Sequence, residues 1–221
     1  MPKFVNDWRG AWKNRFFREQ FLISLIAILL AMVLMRFFLS YVEKRSGIGL
    51  PDPVLSLLTP MDLKWIIYGC IYSAFLLALG SFALHPFALL LVLRGMTVLI
   101  LLRILFLYLL PLDPPPGIIP LADPFLRMPV VFPPTSRDLF FSWPTAVITL
   151  FGFSAQWKDI RIIFFCAAGV VSALLLLQHA HYTLDVIGAP FFAFVAYAIA
   201  RANTLRETSG AVSGPPHRSG R

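Results

Sequence analysis

Charge is what this sequence has least of. Asp, Glu, Lys and Arg supply 14% of its 221 residues, whereas 58% are apolar. With a mean hydropathy of +0.78, too little polar surface is left to clothe a soluble domain, and the composition reads as one membrane-embedded bundle. Acids are scarcer than bases, 11 against 19, for a net charge of +8. The bases flank apolar runs instead of gathering into a patch with interleaved aromatics, so no nucleic-acid partner is expected. Cysteine is nearly absent. Cys70 and Cys166 both sit inside apolar segments, where packing is the expected role and a disulfide framework is excluded. No spacing suits zinc or calcium, so no metal is expected. No glycine-rich phosphate loop follows a strand, which argues against a kinase and implies no nucleotide cofactor.

What is present is a series of long apolar runs, predicting an all-α polytopic membrane protein with six transmembrane helices in one bundle. The expected spans are Phe21–Tyr41, Trp65–Leu84, Ala88–Leu110, Leu139–Ala155, Ile162–Leu177 and Tyr182–Ala200. Residues 1–20 read as a basic cytoplasmic segment, 21–200 as the bundle and 201–221 as a disordered cytoplasmic tail. The first run has no small-residue cleavage site and is expected to be retained. Between Pro111 and Arg137 the chain is proline-rich, from Pro114-Pro115-Pro116 to Pro133-Pro134, so no helix continues through it. That loop is either a rigid connector or a cap over a substrate entrance. Six spans put both termini on one side. Lys3 to Arg18, Lys158, Arg161, Arg201 and Arg206 flank that side, and the positive-inside rule makes it cytoplasmic.

Ionisable residues inside such runs are costly to desolvate and therefore mark sites or buried pairs. Gln178-His179-Ala180-His181-Tyr182-Thr183-Leu184-Asp185 places two imidazoles and a carboxylate between two apolar runs. On a helix His181 and Asp185 share a face one turn apart, as a base and its electrostatic support do. The plainer reading is an interfacial histidine beside a carboxylate that closes helix packing. Arg103 lies about 12 Å before the end of its span, within the outer half of the membrane. Arg103, the segment Asp138–Thr145 and His179–Asp185 can therefore converge on the outer side. Arginine's rigid fork suits phosphate, and a histidine beside a carboxylate can act as base or nucleophile. The expected chemistry is attack by His181 on phosphorus, supported by Asp185, with transfer to water or to a lipid hydroxyl.

The motif His179-Ala180-His181-Tyr182-Thr183-Leu184-Asp185-Val186 resembles the final motif of sphingomyelin synthases and their bacterial relatives in the lipid phosphatase/phosphotransferase (PAP2) superfamily. Asp138-Leu139-Phe140-Phe141-Ser142 is similar to the start of the preceding motif. Leu110-Pro111-Leu112-Asp113-Pro114 is a looser match, with Arg103 upstream of it. The resemblance implies six transmembrane helices, an outward-facing site in a bacterial inner membrane, His181 as nucleophile and Asp185 as its support. Arg103, Asp138, Ser142, Thr145 and Tyr182 would hold the substrate, a phospholipid, sphingolipid or lipid diphosphate. Where the family has Ser-Gly-His-Thr, this chain has Ser142-Trp143-Pro144-Thr145. The histidine that protonates the leaving group is therefore missing, a loss of about 10²–10⁴ in rate. Three alternatives follow: His179 substitutes as acid, the leaving group needs little protonation, or the protein binds lipid without turning it over. Apart from the family, Ser142 and Pro144 suit a helix start, and Trp143 suits an interfacial anchor.

Overall fold

A computed structural model describes residues 3–121, 123 and 136–212. Seven α-helices appear among them: α1 Lys3–Lys13, α2 Arg15–Val42, α3 Lys64–Ala83, α4 Pro86–Leu109, α5 Trp143–Ser154, α6 Lys158–Leu177 and α7 Thr183–Val212. α2, α3, α4, α6 and the Thr183–Thr204 part of α7 are long and apolar enough to cross a membrane. The protein is thus a multi-pass helical membrane bundle. It differs from the expected six spans at α5.

That element has 12 residues, or about 18 Å, against a hydrocarbon core of about 30 Å. Proline explains its late start. Pro144 has no N–H and fits a helix's first turn without losing a hydrogen bond, so the helix starts at Trp143 instead of reaching back to Leu139. Nine of the 12 residues are buried, and α3, α4, α6 and α7 all pack against α5. A helix apolar on every face belongs at the centre of such an assembly. Two glycines let neighbours close on it. A Cβ on Gly95 of α4 would stand 2.9 Å from Leu150 of α5, and one on Gly152 would stand 2.8 Å from the Phe165 ring.

The connections sort into two ends. At the first, Trp8 Nε1 donates to Ala83 O at 2.6 Å, the rings of His85 and Trp157 meet at 4.8 Å, and Arg94 donates to Gln20 at 2.6 Å and to Thr204 at 2.9 Å. This terminal end gathers α1, the start of α2, the α3–α4 and α5–α6 turns and the far part of α7. The other, motif end gathers residues 43–63, 110–121, 136–142 and 178–182. There, Ile48 and Leu112 form an isolated parallel bridge. It runs so close to Gly47 that a Cβ there would be 2.5 Å from the Leu112 carbonyl carbon.

Two further boundaries differ from expectation. The basic N-terminal segment contains a helix, and α2 begins at Arg15, where the Asn14 side chain accepts from Phe16 and Phe17 N–H. The expected tail from residue 201 starts as helix, since α7 runs to Val212. Its remainder lies outside the described residues, as do residues 122 and 124–135 of the proline-rich loop.

Candidate functional site

The end of α6 shapes the motif. Ala180 N–H donates to Leu175 O at 3.0 Å and His179 N–H to Leu176 O at 2.9 Å. With His179 at φ 54°, this is a Schellman stop carrying histidine where glycine is usual. The buried Gln178 amide accepts from Leu63 N–H at 3.1 Å and donates to Ile119 O at 3.3 Å. The His179 ring faces Pro116 O and Leu58 O, each at 3.1 Å, through its two nitrogens. His179 thus clamps both loops of the motif end to α6, and both its ring nitrogens are taken up by those loops.

His181 lies before α7 rather than on it. Tyr182 is the N-cap, its carbonyl accepting Asp185 N–H at 3.0 Å. Asp185, three residues on, returns Oδ2 to Tyr182 N–H at 3.0 Å, half of a capping box. The same oxygen meets His181 Nδ1 at 3.3 Å. The pair expected from helical spacing therefore forms by a different route, with the helix start folding the chain back toward its third residue. Both side chains are buried, and Asp185 Oδ1 has no hydrogen-bond partner.

Neighbouring elements hold this turn in place. Tyr182 Oη donates to Asp113 O at 3.0 Å and accepts from Leu50 N–H at 3.3 Å. Asp52 accepts from Thr183 N–H at 2.6 Å and Thr183 Oγ1 at 3.0 Å while also capping Val54 and Leu55 N–H. Burial alone would raise the Asp52 carboxyl, but these donors, led by Thr183 and Leu55 N–H, hold it below the usual range. No sequence signal pointed to Asp52, which is 131 positions from Thr183. Gln178 was noticed only as part of the polar stretch.

Arg103 and Asp138 come together, but with each other. Nε at 3.0 Å and Nη2 at 2.7 Å both donate to Asp138 Oδ1. Nη2 also donates to Asp138 O at 3.1 Å, and Nη1 donates to Phe141 O. The guanidinium is 2% exposed and lies over the rings of Phe141 and Trp143. A buried cation needs such compensation. Trp143, expected at the interface, instead covers Arg103 and packs near Ile28 and Ile100. One residue after Phe141, Ser142 N–H donates to Asp185 O at 2.9 Å. The 138–142 segment thus runs between Arg103 and Asp185, which face it from opposite sides. Ser142 Oγ does not cap α5. It donates to Thr145 Oγ1 at 3.0 Å, which meets Ser172 Oγ of α6 at 3.1 Å.

No protein-family model matches this chain, and no curated protein does either. What the site can do chemically rests on its own geometry. Among the described residues, no group of three or more His, Cys, Asp or Glu could hold a metal ion. Asp185 fixes His181 through Nδ1, which leaves Nε2 as the ring atom available for bond making.

Proposed function

We propose that this protein removes or transfers the phosphorylated headgroup of a membrane lipid, with His181 as nucleophile. The observation that carries the reading is the buried His181–Asp185 pair, in which the carboxylate is held by Tyr182 N–H and faces Nδ1. With Nδ1–H donated to Asp185, the Nε2 lone pair attacks phosphorus. An Nε2–P bond forms as the P–O bond to the leaving group breaks, and the positive charge gained by the ring is balanced by Asp185. Water or a lipid hydroxyl then attacks phosphorus, its proton passes to the departed leaving-group anion or to solvent, and the P–Nε2 bond breaks to restore His181. Substrates in this reading are phospholipids, sphingolipids or lipid diphosphates. With His179 committed to Leu58 O and Pro116 O and no acid at Trp143-Pro144, a leaving group that departs as an anion fits best.

In the same reading the chain crosses a bacterial inner membrane six times, α5 and the non-helical 136–142 segment making the fourth crossing. Basic residues at the terminal end favour cytoplasmic termini and a site open to the periplasm.

A noncatalytic lipid-binding relative is the second reading. It is favoured by the Arg103–Asp138 pair, which occupies most of the guanidinium donors a phosphate would use. Mass spectrometry of the intact protein and its peptides, after brief incubation with lipid phosphates, lipid diphosphates and phospholipids, separates the two. A headgroup-sized adduct on His181 that is absent from His181→Ala supports catalysis. Tight lipid binding with neither adduct nor product supports the second reading. Full turnover by folded His181→Ala and Asp185→Asn defeats the catalytic assignment.

A further inference from the structure

The helix α1 has a use that the motif chemistry leaves untouched. Phe4, Trp8, Ala11 and Trp12 share one face at helical spacing, while Arg9 and Lys13 fall on the other. The bundle covers only part of the apolar face. Ala11 is buried, and Trp8 is tied by Nε1 to Ala83 O and packs edge-on against Phe17 and Phe21. Phe4 and Trp12 stay 43% and 42% exposed.

Chain continuity restricts what covers them. A single residue, Asn14, separates α1 from α2, whose apolar window has a mean hydropathy of 2.7. A helix one residue from a membrane span and turned out of its axis lies at the bilayer surface. Charge selects the lipid. Arg9, Lys13 and Arg18 are exposed. Glu19 pairs with Arg15 at 2.7 Å, and Asp7 lines a cleft with His85, Gln156 and Arg201.

We infer that α1 is an in-plane binding site for anionic phospholipid headgroups, with Phe4 and Trp12 among the acyl chains and Lys13 and Arg18 at the phosphates. Each base near an anionic surface strengthens binding a few-fold. A short, partly docked amphipathic helix holds its lipids by both area and charge.

The test takes the full-length protein from vesicles of equal parts phosphatidylglycerol and phosphatidylcholine into native mass spectrometry. Phosphatidylglycerol is expected to be retained preferentially, and Lys13→Gln/Arg18→Gln to reduce that preference about threefold or more. Should the double variant unfold, Lys13→Gln alone is the fallback and should reduce it to a smaller extent. In vesicles with brominated acyl chains, the emission lost in Trp12→Phe is expected to be the quenched part. Equal retention of the two lipids, an unchanged preference in both folded variants, or a Trp12 contribution that bromine does not quench would overturn the inference. So would cross-linking of residue 12 to a second copy of the chain.

Discussion

The two ends of the bundle use polar residues in opposite ways. At the motif end they face inward. Arg103 lies against Asp138, His181 against Asp185, and Gln178, His179 and Asp52 against backbone groups of other segments. At the terminal end Lys13, Arg18 and Arg201 face outward, while Arg94 is drawn in against Gln20, Ser24 and Thr204 and Arg161 donates to Ala155 O at 3.0 Å. The first arrangement ties loops that have no regular secondary-structure ladder to one another and to the helix ends. The second leaves charge available to lipid. A polar residue that crosslinks segments is costly to remove, whereas one that faces headgroups affects binding more than folding.

Substitutions can break that contrast, and Arg103→Ala should break it most. It leaves a partly buried carboxylate and two main-chain carbonyls without their donor, a loss of about 3–5 kcal/mol measured by unfolding in detergent. Arg103→Lys should recover only part, because an ammonium cannot reproduce the fork. Gln178→Leu comes next. It strands Leu63 N–H and Ile119 O, which costs about 1–3 kcal/mol for each group left unsatisfied, and limited proteolysis should then cut the loops at residues 58–63 or 116–121.

Asp52→Ala should cost about 1 kcal/mol, the usual worth of a lost helix cap. Its pH dependence has a definite sign. Because the folded carboxyl is held below its ordinary value, its contribution is present above about pH 4 and is lost as pH falls through the folded value. Thermal midpoints of the native protein should therefore fall more steeply below about pH 4 than those of Asp52→Asn. The smallest effect on folding belongs to Lys13→Gln/Arg18→Gln, within about 0.5 kcal/mol. A large destabilisation there would erase the distinction between the two ends.

Much of the fold was legible because lipid imposes a simple rule. Uninterrupted apolar runs announce themselves, and α2, α3, α4, α6 and α7 fall where those runs lie. α5 was apolar as well, but Pro144 set its first turn, so the expected start at Leu139 was too early. The site was legible as a set of residues and less so as an arrangement. His181 and Asp185 meet as their spacing suggested, although through a helix cap. Arg103 and Asp138 are both conspicuous in the sequence, but nothing in their spacing indicates that they pair with each other. The partnership of Asp52 with Thr183 left no trace in local pattern.

Composition and hydropathy determined by themselves that this chain is a membrane-embedded helical bundle, since a surface so poor in charge has no other stable solvent. Proline determined where its longest loop and its shortest buried helix begin. Only the tertiary structure decided which polar groups meet. A buried charge or amide takes whichever partner the packing brings within about 3 Å, and that distance depends on how helices remote in sequence are set against one another.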